Sequence, residues 1–109
     1  MKPRRGEVWW AKLGTGRGSE IKKTRPCIVI GANVLNERRR TVVVVPLSTS
    51  PQPAPPLLVP IVCAGRRVVA VVDQIRAVTK ERLTRCMGEL SVEDLLAVEE
   101  ALRLVLELE

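Results

Sequence analysis

The sequence predicts an α+β fold: a small curled sheet or barrel of about five to seven short strands with one amphipathic helix at the C-terminus. Three observations predict it. Short runs rich in Val, Ile and Leu recur before residue 90, separated by Gly, Pro, Asn and Ser, and such runs favour strands. After Ser91 the apolar residues switch to the helical period. The 109 residues suit one domain, spanning 1–109, near the size where oligomerisation helps to cover apolar surface.

Arg5 to Leu13 (RGEVWWAKL) reads as the first strand, entered through Gly6. A period of two puts Val8 and Trp10 on one face and Trp9, Ala11 and Leu13 on the other. A strand apolar on both sides is central or part of an interface, so both tryptophans read as core or dimer residues. Gly14 to Thr24 (GTGRGSEIKKT) is a loop whose glycines and hydroxyl residues permit tight turns. It lacks the G-x-x-x-x-G-K-[ST] spacing and leads into a strand, not a helix, which argues against a phosphate-cradling nucleotide loop. Arg17, Lys22 and Lys23 make it a cationic loop suited to touching a substrate.

Arg25 to Ala32 is the second strand. Pro26 has a fixed φ and no N–H, so it suits the first position of a strand, and it pushes Arg25 toward extended backbone. Arg25 therefore stands at the mouth of a buried strand. Asn33 to Arg40 reads as a connection with Arg38, Arg39 and Arg40 at a solvated hairpin tip, with direct phosphate contact as a secondary reading. Thr41 to Leu47 (TVVVVPL) is the most apolar strand, with a continuous run that suits burial on both faces. Pro46 marks its end, so the hydroxyls of Ser48, Thr49 and Ser50 emerge where a core strand breaks into a proline-rich loop at Pro51 to Pro56.

Leu57 to Val62 and Arg67 to Val72 read as a hairpin around Ala64 and Gly65. Asp73 to Arg76 continues as a short strand or bend, Thr79 to Leu83 as a helical turn, and Arg85 to Leu90 as a last strand. Ser91 to Glu109 is the one long helix. Ser91 is its N-cap, with Asp94 at N3 in the manner of a capping box. Glu93 and Asp94 in the first turn suit the helix dipole. Leu95, Val98, Leu102, Val105 and Leu106 form its apolar stripe, widened by Leu96, Leu104 and Leu108.

Charge is uneven along the chain. Residues 1–88 hold 17 Lys/Arg against 5 Asp/Glu, net +12, and residues 89–109 hold 1 against 7, net −6. A basic body of this kind fits a polyanionic partner, most commonly nucleic acid. Cys27, Cys63 and Cys86 are odd in number and widely spaced, and no histidine exists. Neither a zinc site nor a disulfide framework is indicated, and the expectation is a reducing, cytosolic setting. No apolar run approaches the roughly 20 residues needed to span a bilayer, and no signal-peptide pattern follows the basic start.

Without histidine there is no imidazole acid or base and no Ser-His-Asp relay, and without clustered ligands a bound metal or other cofactor is not expected. Arg, Ser and Thr remain. That set suits stabilising the charge of a phosphorane when the substrate brings its own nucleophile, as RNA does with its 2′-hydroxyl.

The ordered pattern Arg5-Gly6-Glu7-Val8-Trp9, Gly18-Ser19-Glu20, Arg25-Pro26, Val45-Pro46-Leu47-Ser48-Thr49 and Val72-Asp73-Gln74-Ile75-Arg76, closing on Gly88-Glu89-Leu90 and an amphipathic helix, resembles the MazF/PemK family of toxin endoribonucleases from bacterial toxin–antitoxin systems. The resemblance runs over nearly the whole chain. It implies an SH3-like barrel acting as a homodimer. It also implies metal-free cleavage of single-stranded RNA to 2′,3′-cyclic phosphate and 5′-hydroxyl ends, and neutralisation by an antitoxin protein. The family's catalytic arginine falls on Arg25, with phosphate contact and transition-state stabilisation as its role and proton donation to the leaving 5′ oxygen as an added one. Its hydroxyl residue, usually Thr, falls on Ser48, with Thr49 the runner-up. Glu20, Asp73, Gln74 and Arg76 match pattern positions expected to contact RNA, beside Arg17, Lys22, Lys23 and Thr49.

Two readings from other classes compete. CcdB-type toxins of the same fold bind DNA gyrase without catalysis, but the acidic C-terminal segment lends that reading no specific support. A plain RNA-binding module is the other, and two aromatics are few for base stacking. An inactive relative, with Ser48 in place of Thr, is a third possibility.

Overall fold

The computed structural model describes residues 2–14, 24–49 and 52–108. The chain runs β1 (Glu7–Lys12), β2 (Thr24–Val29), α1 (Asn33–Arg38), β3 (Thr41–Ser48), β4 (Leu58–Cys63), β5 (Arg66–Val71), β6 (Arg76–Thr79), β7 (Leu83–Glu89) and α2 (Val92–Val105). Single 3-10 turns at Val72–Gln74 and Lys80–Arg82 flank β6. All strand pairs are antiparallel, in the order β4-β5-β3-β2-β1-β7, with β6 also paired to β3. The sheet is curled, and α2 packs across it, so the expected α+β architecture is the one observed.

β3 is the spine of the curl. Its first half pairs with β6, from Thr41↔Thr79 to Val44↔Arg76. Its last residues pair with β5, at Leu47↔Ala70 and Ser48↔Val69. Val44 to Pro46 pair with β2. The strand therefore changes neighbours around Pro46, which has no N–H to leave unpaired at such a gap. The β4–β5 hairpin turns on Ala64 (φ 50°) and Gly65 (φ 78°). Left-handed backbone at both central residues matches the right-handed twist of the flanking strands.

The core divides as the period of two requires. Val8, Ile28, Val45, Leu47, Val59 and Ile61 pack with Val98, Ala101 and Leu102 of α2. Trp9, Ala11, Leu13, Cys27, Val29, Val44 and Leu83 form a second cluster. Ser91 caps α2, its Oγ accepting from the N–H of Asp94 at 3.1 Å. The Asp94 carboxylate accepts from the backbone N–H of Val62 at 2.9 Å, tying the helix to β4. A half-buried Arg5–Glu99 ion pair at 2.6 Å fastens the chain start to the same helix.

Two features differ from the sequence reading. Asn33–Arg38 is a helix, not a plain connection. Asn36 is buried and donates to the carbonyl of Gly31 at 3.0 Å, and Asn33 Oδ1 accepts from the N–H of Arg5 at 2.7 Å. One local and one tertiary bond thus hold a helix whose N-cap, Ala32, supplies no side-chain bond. In α2 the stripe is narrower than expected. Leu96 and Leu104 lie within α2 but off the face that carries Val98, Ala101 and Leu102, Leu106 and Leu108 lie beyond its end at Val105, and all four are exposed.

Ser91→Ala is expected to cost about 1 kcal/mol, since it removes the cap and leaves a first-turn N–H to water. Urea denaturation checks this through a lower midpoint at unchanged slope; an unchanged midpoint contradicts it.

Candidate functional site

Two strand ends meet at one place. Arg25 and Pro26 follow Thr24 at the start of β2, opposite Ala11 and Trp10 of β1. On the other side, the β2–β3 pairing ends at Cys27↔Pro46, just short of Arg25 and Ser48, so the two strands part at this point and both residues line the hollow between them. A cavity of about 250 Å³ lies here, with Trp10, Arg25, Ser48, Thr49 and Arg66 in its wall. Ser48, Thr49 and Val68 also line a neighbouring hollow of about 500 Å³, which extends to Pro53, Arg67 and Asp94. The Ser48–Thr49 step is the ridge between the two, and both hydroxyl residues lie on it.

The electrostatics are one-sided. Arg25 and Arg66 line the smaller cavity and Arg67 the larger; among the described residues the one carboxylate in either wall, Asp94, already accepts from Val62. Arg25 Nε and Trp10 Nε1 are buried without a hydrogen-bond partner among the described residues. A buried donor left unpaired costs about 1–3 kcal/mol, and two in one cavity wall make it a place that favours an acceptor-rich, anionic ligand. The Arg85 guanidinium lies 5.9 Å from the centre of the Trp10 ring, because Arg85 of β7 is the cross-strand partner of Trp10.

The two buried thiols add no nucleophile. Burial pushes Cys27 up to about 12, against the opposing pull of Arg76, and its Sγ donates to the carbonyl of Arg25 at 3.7 Å. Burial also raises Cys63, in the cavity wall. Among the described residues no three His, Cys, Asp or Glu side chains gather in a way that could hold a metal. The arrangement can hold and neutralise an anion and present a hydroxyl to it; a nucleophile would have to arrive with the substrate.

Arg25, Ser48 and Thr49 are brought together. Asp73 and Gln74 are not: they sit in the 3-10 turn between β5 and β6, Asp73 exposed and Gln74 half-buried. Arg76 lies on β6, its Nη1 in a long 3.5 Å contact with the carbonyl of Leu13. None of the three belongs to the cavity wall. Arg17, Glu20, Lys22 and Lys23 lie outside the described residues. Trp10, Arg66 and Arg85 were missed. The alternation in β1 separates Trp10 from the core residue Trp9, but its neighbours depend on a register with β2 and β7 that no local pattern reveals.

The family model described as PemK-like, MazF-like toxin of type II toxin–antitoxin system matches residues 4–106. Endoribonuclease MazF9 of Mycobacterium tuberculosis (strain ATCC 25618 / H37Rv) is 36% identical over 114 residues, covering 96% of this chain and 97% of its own. Among solved structures, an endoribonuclease in complex with its cognate antitoxin from Mycobacterial species superposes with a TM-score of 0.83 at 25% identity, over 98% of this chain and 97% of that one. MazF from Deinococcus radiodurans gives 0.82 at 22% identity, over 98% of each chain, a likeness of fold.

The Cys27 thiol carries a pH prediction. The unfolded chain ionises it near its ordinary value of 9.0, while the fold keeps it neutral to about 12. Its contribution to stability is complete below 9.0 and drains away as pH rises toward 12. Over that range wild type should lose up to roughly 1.4 kcal/mol per pH unit more than Cys27→Ala in urea denaturation. Parallel losses in the two proteins contradict the burial argument.

Proposed function

This chain belongs to the PemK-like, MazF-like toxin family of type II toxin–antitoxin systems, and from that membership we propose that it is a toxin endoribonuclease of single-stranded RNA, active without a metal ion. The observation that supports this best is the convergence of Arg25 with Ser48 and Thr49 in one cationic cavity whose buried donors lack acceptors among the described residues. A phosphodiester supplies those acceptors. Arg gripping a phosphate through charge-assisted bonds is among the stronger polar contacts available.

In the proposed reaction the 2′-oxygen of the RNA bonds to phosphorus and the bond from phosphorus to the 5′ oxygen breaks. One proton leaves the 2′-hydroxyl and one reaches the 5′ oxygen. No water is incorporated, so the ends are a 2′,3′-cyclic phosphate and a 5′-hydroxyl. Arg25 neutralises the extra charge on the pentacoordinate phosphorus, where a preorganised donor is worth about 2.7–4 kcal/mol. The hydroxyl of Ser48, with Thr49 as runner-up, donates to a phosphate oxygen and holds the group in line. Ser lacks the γ-methyl that restricts a threonine rotamer, so Ser48 depends on its strand-end backbone for aim. Residues 1–109 act as one toxin domain in the cytoplasm, as a homodimer, and an antitoxin protein silences it by covering the cationic cavity. Asp73, Gln74 and Arg76 act on RNA, if at all, outside the cavity.

Arg25→Ala is expected to keep the fold and lose cleavage by about a hundredfold or more. Incubation with a long single-stranded RNA in EDTA, followed by analysis of product ends, checks both parts. Discrete cuts with cyclic-phosphate ends in wild type, absent in the variant, support the reading. Strict dependence on added magnesium, or full activity in the variant, overturns it.

A further inference from the structure

We infer that the chain holds RNA by a second phosphate-binding track, a cationic rim that leads from the Arg25 cavity around the end of the curled sheet to the connection between α1 and β3. This rests on the ribonuclease reading above. Each step of the rim is a contact. Lys12, at the end of β1, is paired with Thr24, the neighbour of Arg25. Arg82 Nη1 donates to the carbonyl of Lys12 at 3.0 Å. Arg82 closes the single 3-10 turn that begins at Lys80, and the backbone N–H of Lys80 donates to the carbonyl of Arg40 at 2.8 Å. Arg39 precedes Arg40. The curl of the sheet thus brings the start of β3 beside the end of β1, and β1, the 3-10 turn and the α1–β3 connection contribute cations to one edge.

These cations face solvent. Lys12, Arg39, Arg40 and Arg82 are exposed and Lys80 is half-buried. Among the described residues Arg39, Arg40 and Lys80 have no carboxylate partner. The acids nearby are Glu81, in the same turn, and Glu37, which lies 3.9 Å from Arg4. Apart from Arg82, whose guanidinium also braces β1, the rim side chains are not spent on holding the fold together. A row of like charges along one edge is relieved by a polyanion threading past it. None of the rim residues is aromatic, so the track grips backbone and ignores base identity. Sequence choice stays with the cavity, and the rim adds affinity for whatever RNA flanks the cut.

The test is the triple variant Arg39→Gln, Arg40→Gln, Lys80→Gln. The Arg40–Lys80 bond is between main-chain atoms, so it survives. Once a cut site is mapped, two substrates carry it: one only long enough to fill the cavity, and one extended by about 12 nucleotides, within the span of small barrel domains. For the long substrate KM is expected to rise roughly tenfold with kcat unchanged, and the slope of log affinity against log salt to fall by about 2. The short substrate should be unaffected. Equal losses on both substrates, or no change on either, overturn the rim. RNA cleavage left intact while capture of a polyglutamate peptide weakens also overturns it and assigns the edge to an acidic protein. A wild type that binds RNA but cuts neither substrate sinks the ribonuclease reading, while the salt slopes still decide the rim.

Discussion

The change of partner along β3 is the constraint on which the rest depends. One strand of eight residues pairs with β6, β2 and β5 in turn. The exchange happens around a buried proline that has no N–H to satisfy. Because β3 leaves β6 and takes up β5, the sheet must curl, and its last residue pairs with the edge hairpin. The β2 register does the complementary work by bringing Arg25 to the same end. A substitution that shifted either register by one residue would turn these side chains to the opposite face.

The candidate site is therefore made of strand ends, not of loops alone. That gives Arg25 and Ser48 fixed backbone positions, which catalysis by positioning requires. Among the described residues the buried donors at Arg25 and Trp10 have no partner, a cost that burial in the two core clusters offsets. The adjoining hollow, closed by Asp94 and the β4 edge, continues the same surface beyond the ridge of Ser48 and Thr49.

Much of this was legible locally. The Val-rich run marked β3, Ala64-Gly65 marked the hairpin, and Ser91 marked the start of α2; Pro46 marks not the end of β3, which runs on to Ser48, but the place where it changes partners. Each is a signal carried within a few residues. The pair Arg25 and Ser48 was legible only through the family resemblance, since their meeting depends on strand register. What stayed hidden depends on distant partners. α1 is secured by Asn33 receiving the N–H of Arg5, which lies 28 residues earlier. The surroundings of Trp10 are set by strands on both sides of it, and the covered face of α2 by its packing against the sheet. Period alone could not say how wide the covered stripe would be.

The most direct test of the central claim is an NMR titration with RNA made uncleavable by a 2′-deoxy substitution at the cut. It follows the side-chain N–H signals of Arg25, Trp10 and Trp9. If the cavity receives the phosphodiester, the Arg25 and Trp10 signals shift in step with binding. The Trp9 signal, whose N–H already bonds Glu7 at 3.0 Å, stays in place. RNA that binds while the Arg25 and Trp10 signals remain unmoved would contradict the account, because the buried donors would then not be waiting for the substrate.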